Sequence, residues 1–325
     1  MLIYKPLDCG RAVMEFDVVG LGEVLWDLLP VGTQLGGAPA NFAYHAHALG
    51  AQSHVISRVG NDDPGREIIR RFREMGVRDD GIEVDDTAPT GTATVEVSGN
   101  GLVHFTVQEN VAWDFIATTE ETLAICRNTH AICFGSLAQR AKRSHNAIQQ
   151  LVAATPPEAL RVFDANLRQH FYSRRVIEES LKLANIVKLN DDEMPTLATM
   201  FGLSGSTESQ ILRLAKMFSL QVVALTRGAN GSLLYQADYQ AESPQPARWT
   251  DCPSRPVKVV DTVGAGDSFT AALVLGLLLK MDLDEINSIA NDVARYVCSQ
   301  SGATPPLPAE FQGRFFRTRG QQLQP

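Results

Sequence analysis

Apolar segments of strand length alternate with helical patterns along most of the chain. The first, Phe16 to Gly22, precedes a helical pattern from Pro39 to Leu49 that Gly50 ends. The later strand candidates are His54 to Val59, Ala131 to Phe134, Arg161 to Phe163, Ile186 to Leu189 and Val222 to Thr226. The later helical patterns are Arg66 to Met75, Ser144 to Ala153, Arg174 to Leu183 and Glu208 to Phe218. Because parallel strands need helical crossovers, this order predicts an α/β fold with a central, mostly parallel sheet and helices on both faces.

One segment, Thr92 to Val107, departs from this order. It alternates apolar and polar residues around a Gly99-Asn100-Gly101 turn, which predicts an antiparallel hairpin. The apolar face of such a hairpin can cover a cleft or pair with a second subunit, and an ordinary surface hairpin has the same pattern.

Composition excludes several classes of protein. The 325 residues include 29 Lys and Arg against 37 Asp and Glu, a net charge of −8 that argues against a nucleic-acid binder with a broad basic surface. The longest uncharged apolar stretch, Ser268 to Leu279, is shorter than the ~20 residues of a membrane helix, and charged residues interrupt the first apolar run. The five cysteines form no CxxC pair. We therefore expect a cytoplasmic protein without nucleic-acid or membrane partners.

Several common ligand motifs are missing from the sequence. It contains no Gly-Lys dipeptide and so no GxxxxGK[ST] phosphate loop, and it has neither HExxH nor GxSxG. Gly20-x-Gly22 and Gly264-x-Gly266 lack the third glycine of a dinucleotide fingerprint, which argues against a nicotinamide cofactor.

The most informative local motif is DTVGAGD, at residues 261–267, which runs directly into an apolar helix pattern. A buried helix N-terminus presents free amide donors and about half a positive charge, which favours an anion such as phosphate. Asp267 reads either as a helix N-cap or as a base beside that anion. A cap needs neither Gly264 nor Gly266, whereas close approach of amides to a ligand needs both.

These residues resemble a known family. DTVGAGD is similar to the C-terminal motif of the ribokinase-like, or pfkB, carbohydrate kinases, and GGAPAN at 36–41 is similar to their N-terminal glycine pair. Asn190 to Glu193 matches the family's NxxE element, and Thr226-Arg227-Gly228 with Gly231 matches its nucleotide loop. The likeness runs from about Phe16 to about Pro308. GEVLWDLLP, ENVAWD, FGSLAQR and DANLR further resemble bacterial fructokinases.

The resemblance implies a three-layer ribokinase-like sandwich with a small β-lid. It implies one kinase domain over residues 1–325, lid segments near 27–36 and 85–108, and peripheral tails at 1–15 and 309–325. The activity would be ATP-dependent phosphorylation of the fructose 6-hydroxyl. Another acceptor, such as ribose, 2-keto-3-deoxygluconate or a nucleoside, and a non-catalytic sugar- or nucleotide-binding regulator are the alternatives. A homodimer through the lid is also expected.

By the same resemblance, Asp267 is the general base, and the amides of Gly264, Ala265 and Gly266 stabilise the transferring phosphoryl group. Arg168 contacts a phosphate or substrate oxygen, although in isolation it also reads as a surface arginine at a strand exit. Phosphoryl transfer requires mainly alignment and charge stabilisation, which suits this set.

The sugar and nucleotide residues follow from the resemblance as well. The expected sugar ligands are Asp27, Gly36, Gly37 and Asn41. The expected nucleotide residues are Asn190, Thr226, Gly228, Gly231 and Asn291. Glu193 would hold Mg²⁺ through water, and Asp261 and Thr262 are candidates for a K⁺ site. Read locally, Asp27 is also a plain loop acid, and Asp191 to Glu193 are also acids of a first helical turn.

Overall fold

The computed structural model describes residues 14–29, 32–97, 103–237 and 247–322. The strands in these residues are β1 Asp17–Leu21, β2 Leu25–Leu29, β3 Gly32–Gly36, β4 Gln52–Gly60, β5 Arg78–Asp85, β6 Gly91–Val97, β7 Val103–Val107, β8 Ala131–Phe134, β9 Leu160–Asp164, β10 Ile186–Asn190, β11 Val222–Thr226, β12 Ser232–Gln236 and β13 Arg248–Cys252. The α-helices are α1 Ala38–Ala48, α2 Asp63–Met75, α3 Glu120–Arg127, α4 Lys142–Ala153, α5 Arg174–Leu183, α6 Glu193–Phe201, α7 Thr207–Phe218, α8 Ala265–Leu278, α9 Leu283–Cys298 and α10 Ala309–Gln322.

Nine of the described strands form one sheet in the order β13-β12-β11-β10-β9-β8-β1-β4-β5. Neighbouring strands are parallel from β11 to β5, and β12 is antiparallel to both β11 and β13. The predicted mostly parallel sheet is therefore confirmed. Parallel strands end at the same edge, and in such sheets ligands bind outside the carboxyl ends.

Helices cover both faces of this sheet. On one face, α3 to α7 contribute to an apolar cluster with β8 to β11, and on the other α1, α8, α9 and α10 form a second cluster. Helix α8 is apolar on every side, and its central residues are fully buried. The three-layer arrangement predicted from the sequence is confirmed.

Four of the described strands form a second, smaller sheet in the order β3-β2-β6-β7. Strands β6 and β7 are antiparallel, as the alternation in Thr92 to Val107 predicts, and β2 pairs with β6 in parallel. The predicted Gly99-Asn100-Gly101 turn lies outside the described residues. A lid function and a homodimer through this sheet stay predictions.

Strand and helix positions agree with the sequence patterns to within a few residues. Helix α2 begins earlier than predicted because the Asp62 carboxylate caps it, accepting from Gly65 N, and Gly76 in the left-handed region ends it. The segment 309–325, expected as a peripheral tail, instead contains α10, which buries Phe311 and Phe315 against α9. Within the described residues, no helix is both long and apolar enough to cross a bilayer.

The packing of α10 gives a stability prediction. Phe315 is fully buried, so Phe315→Ala should lower the free energy of unfolding by about 3–5 kcal/mol through lost burial and the cavity left behind. Urea denaturation checks this, with the exposed Glu310→Ala on the same helix as a control that should stay within about 0.5 kcal/mol. An unchanged midpoint for Phe315→Ala would show that α10 does not contribute to the core.

Candidate active site

The predicted site residues lie around the carboxyl edge of the large sheet, where α8 begins. Gly264 is the N-cap of α8 and has φ 79°, and no described side chain caps the helix. A β-carbon at Gly264 would lie 2.2 Å from the carbonyl oxygen of Ala303, so only glycine fits. Asp267 therefore is not the N-cap but lies in the first turn, and its side chain remains available for another role.

The Asp267 carboxylate is hydrogen-bonded to Asn41, one of the expected sugar ligands. Asn41 Nδ2 donates to Asp267 Oδ2 at 2.8 Å, joining positions 226 apart in the chain. Burial, together with the nearby Asp164 charge, raises the pKa of Asp267 to about 6, although Lys188, Asn41 and Arg168 favour its ionised form. A carboxyl group with such a pKa is ionised at neutral pH and is still a useful base.

Asp27 and the glycine pair lie on the same side. A β-carbon at Gly36 would be 2.2 Å from Asp27 Oδ2, and one at Gly37 would be 2.4 Å from the carbonyl oxygen of Glu23. Burial raises the pKa of Asp27 to about 6, and the positive charge of Arg168 opposes this shift. Gly36 thus lies against Asp27 and Gly37 against Glu23, and Asn41 of the same expected sugar set contacts Asp267.

Arg168 follows β9 in an exposed turn, where Phe171 N donates to its carbonyl oxygen at 3.0 Å. Its positive charge favours the ionised forms of Asp27, Asp267 and Glu23, although burial still raises the pKa of each carboxyl group. The expected contact of Arg168 with a phosphate or substrate oxygen stays a prediction.

Lys188 is a site residue that the sequence analysis missed. It is 6% exposed, and its ammonium group lies 3.0 Å from the Asp164 carboxylate. A β-carbon at Gly266 would lie only 2.9 Å from Lys188 Nζ, so this cation is directly beneath the first turn of α8. Burial disfavours the charge, but Asp164, Glu193 and Asp267 outweigh it and raise the pKa of Lys188. Its sequence signal is a lysine inside the buried strand IVKLN.

Glu23 is the second residue that the sequence analysis missed. It is 2% exposed, and within the described residues its Oε2 atom has no hydrogen-bond partner. Burial, together with the negative charge of Asp267, raises the pKa of Glu23 to about 7. Backbone hydrogen bonds and the positive charge of Arg168 act in the opposite direction and favour the ionised form. Asn41 Oδ1 is also buried without a partner in the described part of the chain. Two acceptor oxygens without donors thus flank the glycine pair.

Glu193 and Asn190 connect two loops at this edge. The Glu193 carboxylate accepts from Leu167 N at 2.9 Å and from Asn190 N at 2.8 Å, and Asn190 Oδ1 accepts from the amides of Asp192 and Glu193. Each Glu193 oxygen retains a lone pair that can accept a hydrogen bond from water, so the residue is suited to bind Mg²⁺ through a water molecule. No group of three or more His, Cys, Asp or Glu side chains among the described residues is arranged to bind a metal directly.

The expected nucleotide residues cluster beyond Asn190. Thr226 pairs with Asn190 across β10 and β11, and the loop that follows it contains Gly228 and Gly231, both with positive φ. Asn291 Nδ2 donates to Ser232 Oγ at 2.6 Å, next to Gly231. A cleft of about 280 Å³ is lined by Asn291 together with Cys252, Pro253, Ser254, Arg255, Pro256, Ser288, Asp292 and Arg295.

Asp261 and Thr262 shape the loop that leads into α8. The Asp261 carboxylate accepts from Val263 N at 3.0 Å and from Gly302 N at 3.1 Å, and the Thr262 carbonyl accepts from Ala265 N. Asp261 therefore lies beside the backbone of Gly302, and Thr262 stabilises the turn that enters α8. A K⁺ ion at this position stays a prediction.

Comparisons with known proteins identify the family of this chain. The model of the pfkB family carbohydrate kinases matches residues 10–310. The uncharacterized sugar kinase PH1459 of Pyrococcus horikoshii is 30% identical over 305 residues, 88% of this chain and 91% of that protein. Its crystal structure superposes with a TM-score of 0.76 at 28% identity, covering 93% of this chain and 98% of that one.

Several relatives are named fructokinases, and two of them align over most of both chains. That of Klebsiella pneumoniae is 30% identical over 84% of this chain and 88% of its own length. Fructokinase-1 of Oryza sativa subsp. japonica is 27% identical over 91% of this chain and 95% of its own. The family resemblance and the ribokinase-like fold expected from the sequence are confirmed, and the chain belongs to the pfkB family of carbohydrate kinases.

Proposed function

We propose that this chain is an ATP-dependent fructokinase that phosphorylates the 6-hydroxyl of fructose. The observation that carries the proposal is the 2.8 Å hydrogen bond between Asn41 and Asp267. It puts an ionisable carboxyl group at the N-terminus of α8 beside the residues suited to bind a polyol. A base and an anion site next to one pocket are the two elements that phosphoryl transfer to an alcohol needs.

Asp267 accepts the proton of the sugar hydroxyl as the oxygen attacks the γ-phosphorus of ATP. The amides of Gly264 and Gly266 donate to the phosphoryl oxygens, and Ala265 N joins them by exchanging its 3.3 Å bond to the Thr262 carbonyl for the phosphate. Lys188 adds a full positive charge beneath this turn. Such preorganised donors stabilise charge that develops in the transition state. Arg168 supplies a further cation.

Asp27 and Asn41 orient the sugar. The Asp27 carboxylate accepts from hydroxyl groups, and Asn41 Oδ1, buried without a partner among the described residues, is a ready acceptor for another. Gly36 and Gly37 keep side chains away from the ring.

The nucleotide lies along the loop from Thr226 to Gly231 and reaches Asn291. The PH1459 structure, 28% identical, has been determined in complex with ATP, which supports the nucleotide. Mg²⁺, when bound, neutralises phosphate charge, and Asn190 and Glu193 hold the water around it.

The acceptor is inferred from two observations. The relatives from Klebsiella pneumoniae and Oryza sativa carry the name fructokinase and align over most of both chains. The pocket offers Asp27 and Asn41 as acceptors for several hydroxyl groups, which suits a polyol.

The base assignment predicts the effect of Asp267→Asn. Turnover should fall by at least about 100-fold, because asparagine cannot accept the hydroxyl proton, while ATP and fructose still bind. Steady-state kinetics and calorimetric binding measure the two effects. Asp284→Asn, which also changes an aspartate in the first turn of a helix, is the matched control and should keep normal turnover. Near-normal turnover in Asp267→Asn would reject the base.

The raised pKa of Asp267 predicts the pH dependence. The base works only when ionised, so kcat/KM should be full at neutral pH and fall as the pH drops through about 6. Arg168→Gln removes a positive charge that favours the ionised carboxylate, so the acid limb should move to higher pH. An acid limb at the ordinary aspartate value near 4 in the wild-type protein would contradict this environment.

The acceptor is tested with a panel of sugars in an assay of ADP release. Fructose should give a kcat/KM at least about tenfold above those of ribose, 2-keto-3-deoxygluconate and nucleosides, since pocket contacts discriminate at this level. A different preferred acceptor overturns fructose but keeps the kinase. Absence of ADP release with every acceptor would instead support a sugar- or nucleotide-binding regulator.

A further inference from the structure

An arginine with a buried side chain, Arg140, joins separate segments that support two of the expected site residues. Its side chain is 7% exposed, and Nε and Nη2 bind the two carboxylate oxygens of Asp114 at 2.8 and 2.9 Å. The rings of Trp113 and Phe171 have centroids 3.9 and 4.7 Å from its guanidinium carbon. Arginine alone combines a planar fork for a carboxylate with stacking on aromatic rings.

The first segment is the small sheet. Arg140 Nη2 also donates to the carbonyl oxygen of Gln108, the residue after β7. Gln108 N in turn donates to Thr92 O at 3.0 Å, and Thr92 pairs with Trp26 on β2. Asp27, the expected sugar ligand, is the next residue on that strand. Arg140 therefore fixes Gln108, which is connected through Thr92 on β6 to the strand that carries Asp27.

The second segment is the turn after β9. Phe171, which packs on the Arg140 guanidinium, is 8% exposed and closes the turn by donating its amide to Arg168 O. The positive charge of Arg168 favours the ionised form of the Asp27 carboxyl group. The Arg140 side chain thus contacts both Gln108, which connects to the strand of Asp27, and Phe171, which closes the turn of Arg168.

Stability alone is a poor explanation for this arrangement. Within the described residues, Arg140 Nη1 is buried without a hydrogen-bond partner, and unmet buried donors are unfavourable. Replacing a buried ion pair by apolar side chains is often neutral or stabilising. Arg140 is better explained as a residue that fixes the relative positions of the segments it contacts.

We propose that Arg140 is a positioning residue for the sugar. Through its contacts with Gln108 and Phe171, it fixes the position of β2, which carries Asp27, relative to the turn that carries Arg168. The inference rests on the proposed sugar-kinase function. If Arg140 has this role, the position of the small sheet and the position of Arg168 both depend on the same side chain.

The kinetic test compares Arg140→Met and Arg140→Lys with the wild-type protein. Both should raise the KM for the accepted sugar by about tenfold or more and lower kcat, because Asp27 and Arg168 are both displaced. The KM for ATP should stay within about twofold, because the nucleotide is proposed to bind the separate loop from Thr226 to Gly231. Lysine should rescue at most part of the effect, since it lacks the fork and the stacking. Arg161→Lys, a partly buried arginine held by backbone carbonyls at the opposite strand ends, should leave all three constants unchanged.

A second measurement needs no substrate and separates this inference from the proposed function. Amide hydrogen exchange in Arg140→Lys, which keeps the charge opposite Asp114, should lose protection at both Gln108 and Phe171, and Arg161→Lys at neither. Loss at one site only, loss at neither, or an equal rise of both KM values would overturn the positioning role. If the wild-type protein phosphorylates no sugar, the proposed function fails and the exchange result still decides the role of Arg140.

Discussion

The hydrogen bond between Asn41 and Asp267 is the contact around which the site is organised. It connects the first turns of α1 and α8, two helices that pack side by side on the same face of the sheet. Both helices begin at glycines whose β-carbons would collide with backbone carbonyls, at Gly37 and at Gly264. The two glycines therefore let the helix ends come close enough for the amide to reach the carboxylate.

The backbone beneath α8 is held from the other side by a buried histidine. His45 is fully buried and its pKa is lowered to about 4 by that burial, so the ring is neutral at physiological pH. Its Nε2 atom donates to the Ala303 carbonyl at 2.8 Å, the same carbonyl that lies against Gly264. Helix α1 thus contacts, through His45, the Ala303 carbonyl that lies against Gly264 and, through Asn41, the Asp267 carboxylate.

Charge in this region is balanced by one buried lysine. Lys188 lies 3.0 Å from Asp164 and interacts with Glu193 and Asp267 as well, so the carboxyl groups are not left to repel one another in a desolvated pocket. The cost of burying an ion is offset only where partners are close, and Asp164 meets that condition. The same cation lies where phosphate charge would arrive, which links the stability of the cluster to its proposed chemistry.

The sequence by itself determined the layers of the fold, because strand and helix periodicity are local and alternate in a fixed order. It also determined the glycine motifs, but the local pattern left Asp267 open between a helix N-cap and a base, and only the structure showed that Gly264 is the N-cap. Only the tertiary structure decided that Lys188, Glu23 and Arg140 belong to this edge, since their partners are distant in the chain or their burial depends on the packed layers. It likewise showed that 309–322 packs as a helix, because the apolar side chains of that segment find their partners on α9 only after the chain has folded.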